Sequence, residues 1–163
     1  MKDLLTLLTL AGILGSGLVA RIFFAFSSFV MRALGLLPDS EGIAAMKAIN
    51  TTVLNPGFFL AFFGTGAVCL PVASLALESS AGTNQAYLLA GCARDLLGCL
   101  LVTVAFSVPL NHQLASVEPD ASGARALWAH YLRRWTLWNH VRTAASLAAA
   151  GCFAMALCGG RVG

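Results

Sequence analysis

Eight polar residues of this chain are of the types that hold anions or move protons. Amide and guanidinium groups donate hydrogen bonds to an oxyanion, and a histidine takes or gives a proton near neutral pH. A site that combined them could remove a proton from an acidic C–H or O–H group and stabilise the anion that forms. The residues are Asn50, Asn55, Asn111, Tyr131, Trp135, Asn139, His140 and Arg142.

Among these residues, His140 is our candidate general base. It stands in the stretch WNHVR, in front of an alanine-rich segment. The positive end of a helix dipole there favours the neutral ring, which accepts a proton. Arg142 points about 200° away from His140 on a regular helix, so the two side chains are not expected to touch one small atom together. In the alternative interpretation, both residues are headgroup anchors of a membrane helix.

Metal and disulfide sites are not predicted. The three histidines form no HxxxH or HxxE pattern. The five cysteines form no CxxC pair, and buried cysteine is usually a small inert hydrophobe. The net charge of +3 comes without a basic run, so nucleic acid is not an expected partner.

The composition is that of a membrane protein. The 163 residues are 58% hydrophobic and 10% charged, whereas a soluble domain carries about 25% charged residues. We predict an all-α fold with a single integral membrane domain over residues 1–163, built as a bundle of four transmembrane helices. A spanning helix needs roughly 20 mainly apolar residues, and four segments qualify: about residues 4–33, 56–77, 85–110 and 139–158. Inside them, Arg21 is a candidate partner of Asp95, unless Arg21 reaches water by itself.

Both long loops are expected to hold a short amphipathic helix. In the first loop, Pro38 and Asp39 form a helix start signal, and apolar residues then recur every three to four positions. Asn55 before Pro56 should end that helix. In the third loop, aromatic residues from Trp128 to Trp138 recur at the same spacing and resemble anchors at the membrane interface. This second helix either turns or continues into the fourth span.

The predicted topology places all eight candidate residues at the same face of the membrane. There they would form a polar cluster above an apolar cavity, which suits a flat lipophilic ligand. The first and third loops carry more basic residues than the opposite side, so the positive-inside rule predicts that these loops are cytoplasmic and that both termini are outside. The sequence does not indicate an oligomeric state.

Four stretches of the chain resemble the anthrone-oxygenase-like family of small membrane proteins. They are GLVARIFFAFSSFVMRAL, AAMKAINTTVLNPGFF, VAFSVPLNHQLA and LWAHYLRRWTLWNHVRTAAS. The resemblance implies a bacterial inner-membrane protein and oxidation of anthrones to anthraquinones by dioxygen, without metal or flavin. It leads us to expect a small residue in place of Arg21 and asparagine in place of Ser107. The positions that match the family's functional residues are Asn50, Asn55, Asn111, Trp135, Asn139, His140 and Arg142.

The sequence therefore predicts a membrane oxygenase for a lipophilic anthrone, phenol or quinol-like substrate. In this hypothesis, His140 removes a proton, while Arg142 and Asn139 hold the oxyanion. Asn50, Asn55, Asn111, Tyr131 and Trp135 bind the substrate. The alternative is a non-catalytic membrane scaffold that binds a lipid or a partner protein. A transporter is a weaker hypothesis, because no inverted repeat is visible.

Overall fold

The computed structural model describes residues 2–78 and 82–159 and folds them into five helices, with no strand in these ranges. Four of the helices are long and apolar enough to cross a membrane, which confirms the predicted all-α architecture of four spans. The helices are α1 (Asp3–Leu34), α2 (Asp39–Thr52), α3 (Pro56–Glu78), α4 (Asn84–Ala115) and α5 (Ala124–Gly159).

The first loop contains the predicted amphipathic helix, α2. Pro38 stands before it in an extended conformation, and Asp39 lies in its first turn, where a carboxylate favours the helix dipole. Ile43 and Met46 are fully buried. They pack against α4 and α5, so α2 closes one end of the bundle.

The helix predicted in the third loop continues into the fourth span, which is one of the two alternatives that the sequence left open. The segment from Ala124 onwards is the first part of α5, one continuous helix of 36 residues. No proline interrupts it, and at 1.5 Å per residue it is about 54 Å long, well above the roughly 30 Å of the hydrocarbon core. Trp128, Tyr131 and Trp135 are buried in this helix. They form the protein core at this end of the bundle, so they do not anchor the chain in the headgroups.

The spans run up and down. One buried cluster joins the start of α1 and α4 to the end of α3 and α5, with Phe153 among its members. A second cluster joins the end of α1 and α4 to α2 and the start of α5. Large apolar side chains such as Leu14 and Leu60 remain exposed around the spans, as expected for surfaces that face lipid.

Two of the spans depart from regular α-helical geometry. π-helical segments occupy Phe26–Val30 in α1, and Arg94–Leu101 and Thr103–Ser107 in α4. Such segments are frequent at functional sites, because they re-aim side chains and free backbone groups. Here they bring Thr103 and Ser107 towards α1 and α5.

The candidate pair of Arg21 and Asp95 is not formed. The Asp95 carboxylate is buried and accepts hydrogen bonds from the Ser16 hydroxyl, at 3.3 Å, and from the Cys69 thiol, at 3.9 Å. Arg21 is exposed on the outer surface of α1. The alternative that Arg21 reaches water by itself stays a prediction.

Candidate functional site

Arg142 is the charged centre of a polar cluster inside the bundle. Trp135, Asn139 and Arg142 recur at spacings of four and three residues, so they share the inward face of α5. Arg142 is only 4% exposed. Its guanidinium carbon lies 4.2 Å from the ring centroid of Phe23 and 5.0 Å from that of Trp135. Both rings hold the cation through cation–π attraction.

The guanidinium of Arg142 has fewer hydrogen-bond partners than a buried guanidinium usually has. Its Nη2 donates to Asn139 Oδ1 at 2.9 Å, and its Nη1 donates to Thr103 Oγ1 over a long 3.4 Å. Its Nε is buried without a hydrogen-bond partner. Among the described residues, the ion pair present is Arg125–Asp39 on the surface, and no carboxylate pairs with Arg142. A buried charge usually has a counter-ion, and none of the described residues supplies one to Arg142.

Asn139 fixes the position of Arg142. The amide is fully buried, and its Nδ2 donates to the Phe23 carbonyl and to Ser27 Oγ, both at 2.7 Å. Its Oδ1 is left to accept the bond from Arg142. Because both N–H groups of its amide donate to α1 and its Oδ1 accepts from Arg142, Asn139 ties Arg142 to α1.

Asn111 is held in one orientation by two aromatic donors. Tyr131 Oη donates to its Oδ1 at 2.8 Å, and Trp135 Nε1 donates to the same atom at 3.0 Å. An indole N–H can only donate, so the atom that faces it must be the amide oxygen. Asn50 Nδ2 in turn donates to Tyr131 Oη at 3.4 Å. The Nδ2 group of Asn111 makes no bond within residues 2–78 and 82–159, so it can donate to a ligand.

Arg142 opens onto a small apolar cavity between α1, α2, α4 and α5. Its volume is about 120 Å³. Two of its lining residues, Arg142 and Ser107, each have a buried polar atom without a hydrogen-bond partner, namely Nε and Oγ. The other walls are mostly aromatic and aliphatic. They comprise Ile22, Phe23, Phe26, Met46, Ile49, Asn50, Val53, Leu54, Phe58, Thr103, Val108, Asn111 and Trp135.

A wider vestibule of about 490 Å³ adjoins this cavity. The two spaces share four lining residues on α2, α4 and the turn after α2: Asn50, Leu54, Val108 and Asn111. The vestibule adds Lys47 and His112. Lys47 Nζ donates to the Val117 carbonyl at 2.5 Å, whereas His112 is exposed. The vestibule therefore places the exposed imidazole ring of His112 next to the cavity.

The structure brings six of the eight candidate residues together. Four of them line the cavity: Asn50, Asn111, Trp135 and Arg142. Two others stand behind these and orient them, namely Tyr131 and Asn139.

Asn55 and His140 lie outside the cavity. Asn55 Oδ1 accepts a hydrogen bond from the Phe58 backbone N–H at 3.0 Å, so this side chain caps the start of α3. His140 is exposed and lines a groove on the outer surface, between the end of α1 and α5. The catalytic role of His140 stays a prediction, and the geometry does not place its ring beside Arg142.

Sequence reasoning missed several lining residues. Thr103, Ser107 and Asn111 recur every four positions on α4, and this spacing places them on one face. The period could have identified Thr103 as part of the site. Phe23 and Phe58 gave no such signal, because aromatic residues are common throughout the apolar segments.

Comparison with known proteins adds one finding. No curated protein and no solved structure matches the chain. A family model described as anthrone oxygenase matches residues 58–152, which is more than half of the chain and includes Asn111 and Arg142. The chain therefore belongs to the anthrone oxygenase family.

Proposed function

We propose that this protein is a membrane oxygenase that oxidises a flat, lipophilic anthrone, phenol or quinol-like substrate with dioxygen, without metal or flavin. The observation that carries the proposal is the buried guanidinium of Arg142, which faces an aromatic cavity and lacks an anionic partner. The oxyanion of an ionised anthrone or phenol supplies that partner. The family assignment favours the same substrate class.

In the proposed mechanism, the protein stabilises the substrate anion, and the anion itself reacts with dioxygen. Loss of a proton from the CH₂ group of an anthrone leaves an enolate, whose oxygen accepts hydrogen bonds from Arg142 and from Asn111 Nδ2. The anion passes one electron to dioxygen, and the resulting radical and superoxide combine into a C–O bond. The peroxide takes up a proton, its O–O bond breaks, and the second C–H proton leaves with the hydroxide as water. The products are one C=O group and one water molecule.

The proton acceptor in this proposal lies on the vestibule side. Among the cavity's lining residues there is no carboxylate and no histidine, so the proton must leave the cavity. His112 is the exposed ring next to Asn111, whereas His140 faces a different groove. We therefore propose His112 as the base and retain His140 as the competing prediction.

The cavity volumes suggest how the substrate is oriented. An engineered cavity of about 150 Å³ holds one benzene molecule, so the inner space of about 120 Å³ has room for no more than one ring. A three-ring substrate then extends into the vestibule of about 490 Å³. In this orientation an outer ring enters the inner cavity, and the central ring, which carries the enolate oxygen of an anthrone, lies where the cavity and the vestibule meet, beside Asn111.

Oxygen uptake by the purified protein in detergent, with an anthrone as substrate, tests the proposal. Arg142→Met should lower kcat by about 10²–10³, the usual cost of losing an oxyanion donor. His112→Ala should lower it by about 10²–10⁴, and His140→Ala should leave it within a few-fold. If Arg142→Met turns over like the wild type, the proposed site is wrong. If His140→Ala is inactive while His112→Ala is not, the assignment of the base is reversed. If the wild type itself shows no uptake above the spontaneous rate, a non-catalytic binding protein becomes the better interpretation.

A further inference from the structure

The outer groove beside His140 is a second site, separate from the Arg142 cavity. Its volume is about 630 Å³, which is within the range of ligand pockets, about 300–1,000 Å³. The end of α1 forms one wall and α5 forms the other. Ser27 stands in the groove, and its hydroxyl is the acceptor for Asn139 Nδ2 at 2.7 Å. Asn139 itself separates the groove from Arg142.

Basic groups line this groove, and no acidic residue does. Arg32 comes from the last turn of α1, and Arg133 and His140 lie two turns apart on α5. All three side chains are exposed. The ion pair found among the described residues involves none of them, so their charge is not compensated within the described protein. An imidazole ring also has an N–H to donate in either protonation state.

The remaining lining is mostly apolar. Met31, Leu36, Leu132 and Leu137 supply most of it; Leu36 and Leu137 are exposed, Leu132 is half-buried and Met31 is buried. A free phosphate ion makes no apolar contacts with such a surface, whereas an acyl chain packs against it. The combination of two guanidinium groups and an apolar wall matches one molecule that carries a phosphate and a hydrocarbon tail.

The groove is also at the right height for a lipid headgroup. Residues 140–159 of α5 suffice to cross the hydrocarbon core, which needs roughly 20 residues. Arg133 then lies about 10 Å beyond His140 along the helix axis. This distance is somewhat larger than the polar headgroup layer of about 5–8 Å on each side of the core, so Arg133 starts at the outer edge of that layer, and its long side chain reaches back into it. Basic pockets between membrane helices are known to bind anionic headgroups.

We propose that the groove between α1 and α5 binds one anionic phospholipid, with its phosphodiester held by Arg32 and Arg133 and an acyl chain that runs past Leu137 towards the hydrocarbon core. The proposal does not depend on catalysis at Arg142. It places His140 on the acyl-chain side of the phosphodiester, at the edge of the hydrocarbon core.

Native mass spectrometry of the purified full chain tests this directly, by titration with dioleoyl phosphatidylglycerol and dioleoyl phosphatidylcholine. We expect the anionic lipid to bind at least 10-fold more tightly. Since each basic residue near an anionic lipid contributes roughly 5-fold, Arg32→Gln or Arg133→Gln should each weaken binding about 5-fold, and the double variant about 30-fold. Arg134→Gln is the matched control, because Arg134 is adjacent in sequence but lies over the Trp138 ring and does not line the groove.

Three results would overturn the proposal. The first is equal affinity for the two lipids. The second is a loss in Arg134→Gln as large as in Arg133→Gln, which would indicate unspecific attraction by surface charge. The third is displacement of the lipid by inorganic phosphate at a concentration comparable with that of the lipid, which would indicate a phosphate site that does not use the acyl chain.

Discussion

Asn139 and His140 are neighbours on α5, and the structure predicts opposite consequences when each is replaced by alanine. Asn139→Ala removes three hydrogen bonds: two from Nδ2, both of 2.7 Å, and the 2.9 Å bond from Arg142 Nη2. The variant leaves a buried guanidinium with only the 3.4 Å contact to Thr103. His140→Ala removes an exposed side chain that makes no hydrogen bond within the described residues.

The size of the effect can be estimated from these contacts. Hydrogen bonds between membrane helices contribute about 0.6 kcal/mol on average and up to about 1.7 kcal/mol, so the two bonds to α1 account for about 1–3 kcal/mol. Leaving a charged donor buried and unpaired adds about 1–3 kcal/mol. We therefore expect Asn139→Ala to lower the free energy of unfolding by about 2–6 kcal/mol. His140→Ala should change it by less than about 0.5 kcal/mol, as surface substitutions usually do.

Unfolding in mixed micelles by titration with sodium dodecyl sulfate, followed by circular dichroism, measures both values. Oxygen uptake with an anthrone gives the functional counterpart. In Asn139→Ala, kcat should fall because Arg142 is no longer held against the cavity, although no group that touches the substrate has been removed. If Asn139→Ala is as stable as His140→Ala, the buried network of Asn139, Arg142 and α1 does not exist as described, and the reasoning about the site fails with it.

Three further substitutions test the site and the packing around it. Trp135→Phe removes one of the two donors that orient Asn111, so KM for the anthrone should rise several-fold in the uptake assay. A KM equal to the wild-type value would show that the orientation of Asn111 does not affect substrate binding. Ser107→Ala removes a buried hydroxyl without a partner; stability in the detergent titration should be unchanged within about 0.5 kcal/mol, and a larger loss would mean that the hydroxyl has a structural partner. Gly42→Ala would place a methyl group 2.9 Å from a backbone carbonyl oxygen and 2.9 Å from a buried indole ring. This overpacking should lower the free energy of unfolding by about 1–3 kcal/mol in the detergent titration. The control is Gly17→Ala, where nothing lies within 4 Å of the added methyl group, and it should be neutral or slightly stabilising.

Most of the secondary structure was predictable from the sequence, because apolar segments of spanning length are an unambiguous signal. The period of Ile43 and Met46 also revealed α2, and the helix begins at Asp39, within the predicted start signal. In the third loop, the predicted role of the aromatic residues as interfacial anchors was wrong for Trp128 and Trp135. Trp128 and Trp135 have the spacing of interfacial anchors, and the same spacing also describes a buried face.

The candidate site was predictable as a set of residue types and only partly as an arrangement. Helical periodicity correctly places Trp135, Asn139 and Arg142 on one face of α5, and it correctly separates His140 from Arg142. It could not reveal that Asn55 caps α3, because a cap and a ligand-binding amide look alike in sequence. It also could not reveal that Arg142 lacks an anionic partner, since that depends on which side chains of α1, α2 and α4 surround it.

The sequence by itself determined how many helices are long and apolar enough to cross a membrane, and which residues of each helix share a face. Only the tertiary structure decided which face turns inward. Periodicity fixes the angles between side chains on a helix, but it does not fix the rotation of that helix about its own axis. In a soluble protein the apolar face would set this rotation, whereas in lipid both faces are apolar. Contacts such as Asn139 with the Phe23 carbonyl set it here, and they turn Arg142 towards the cavity and His140 towards the lipid.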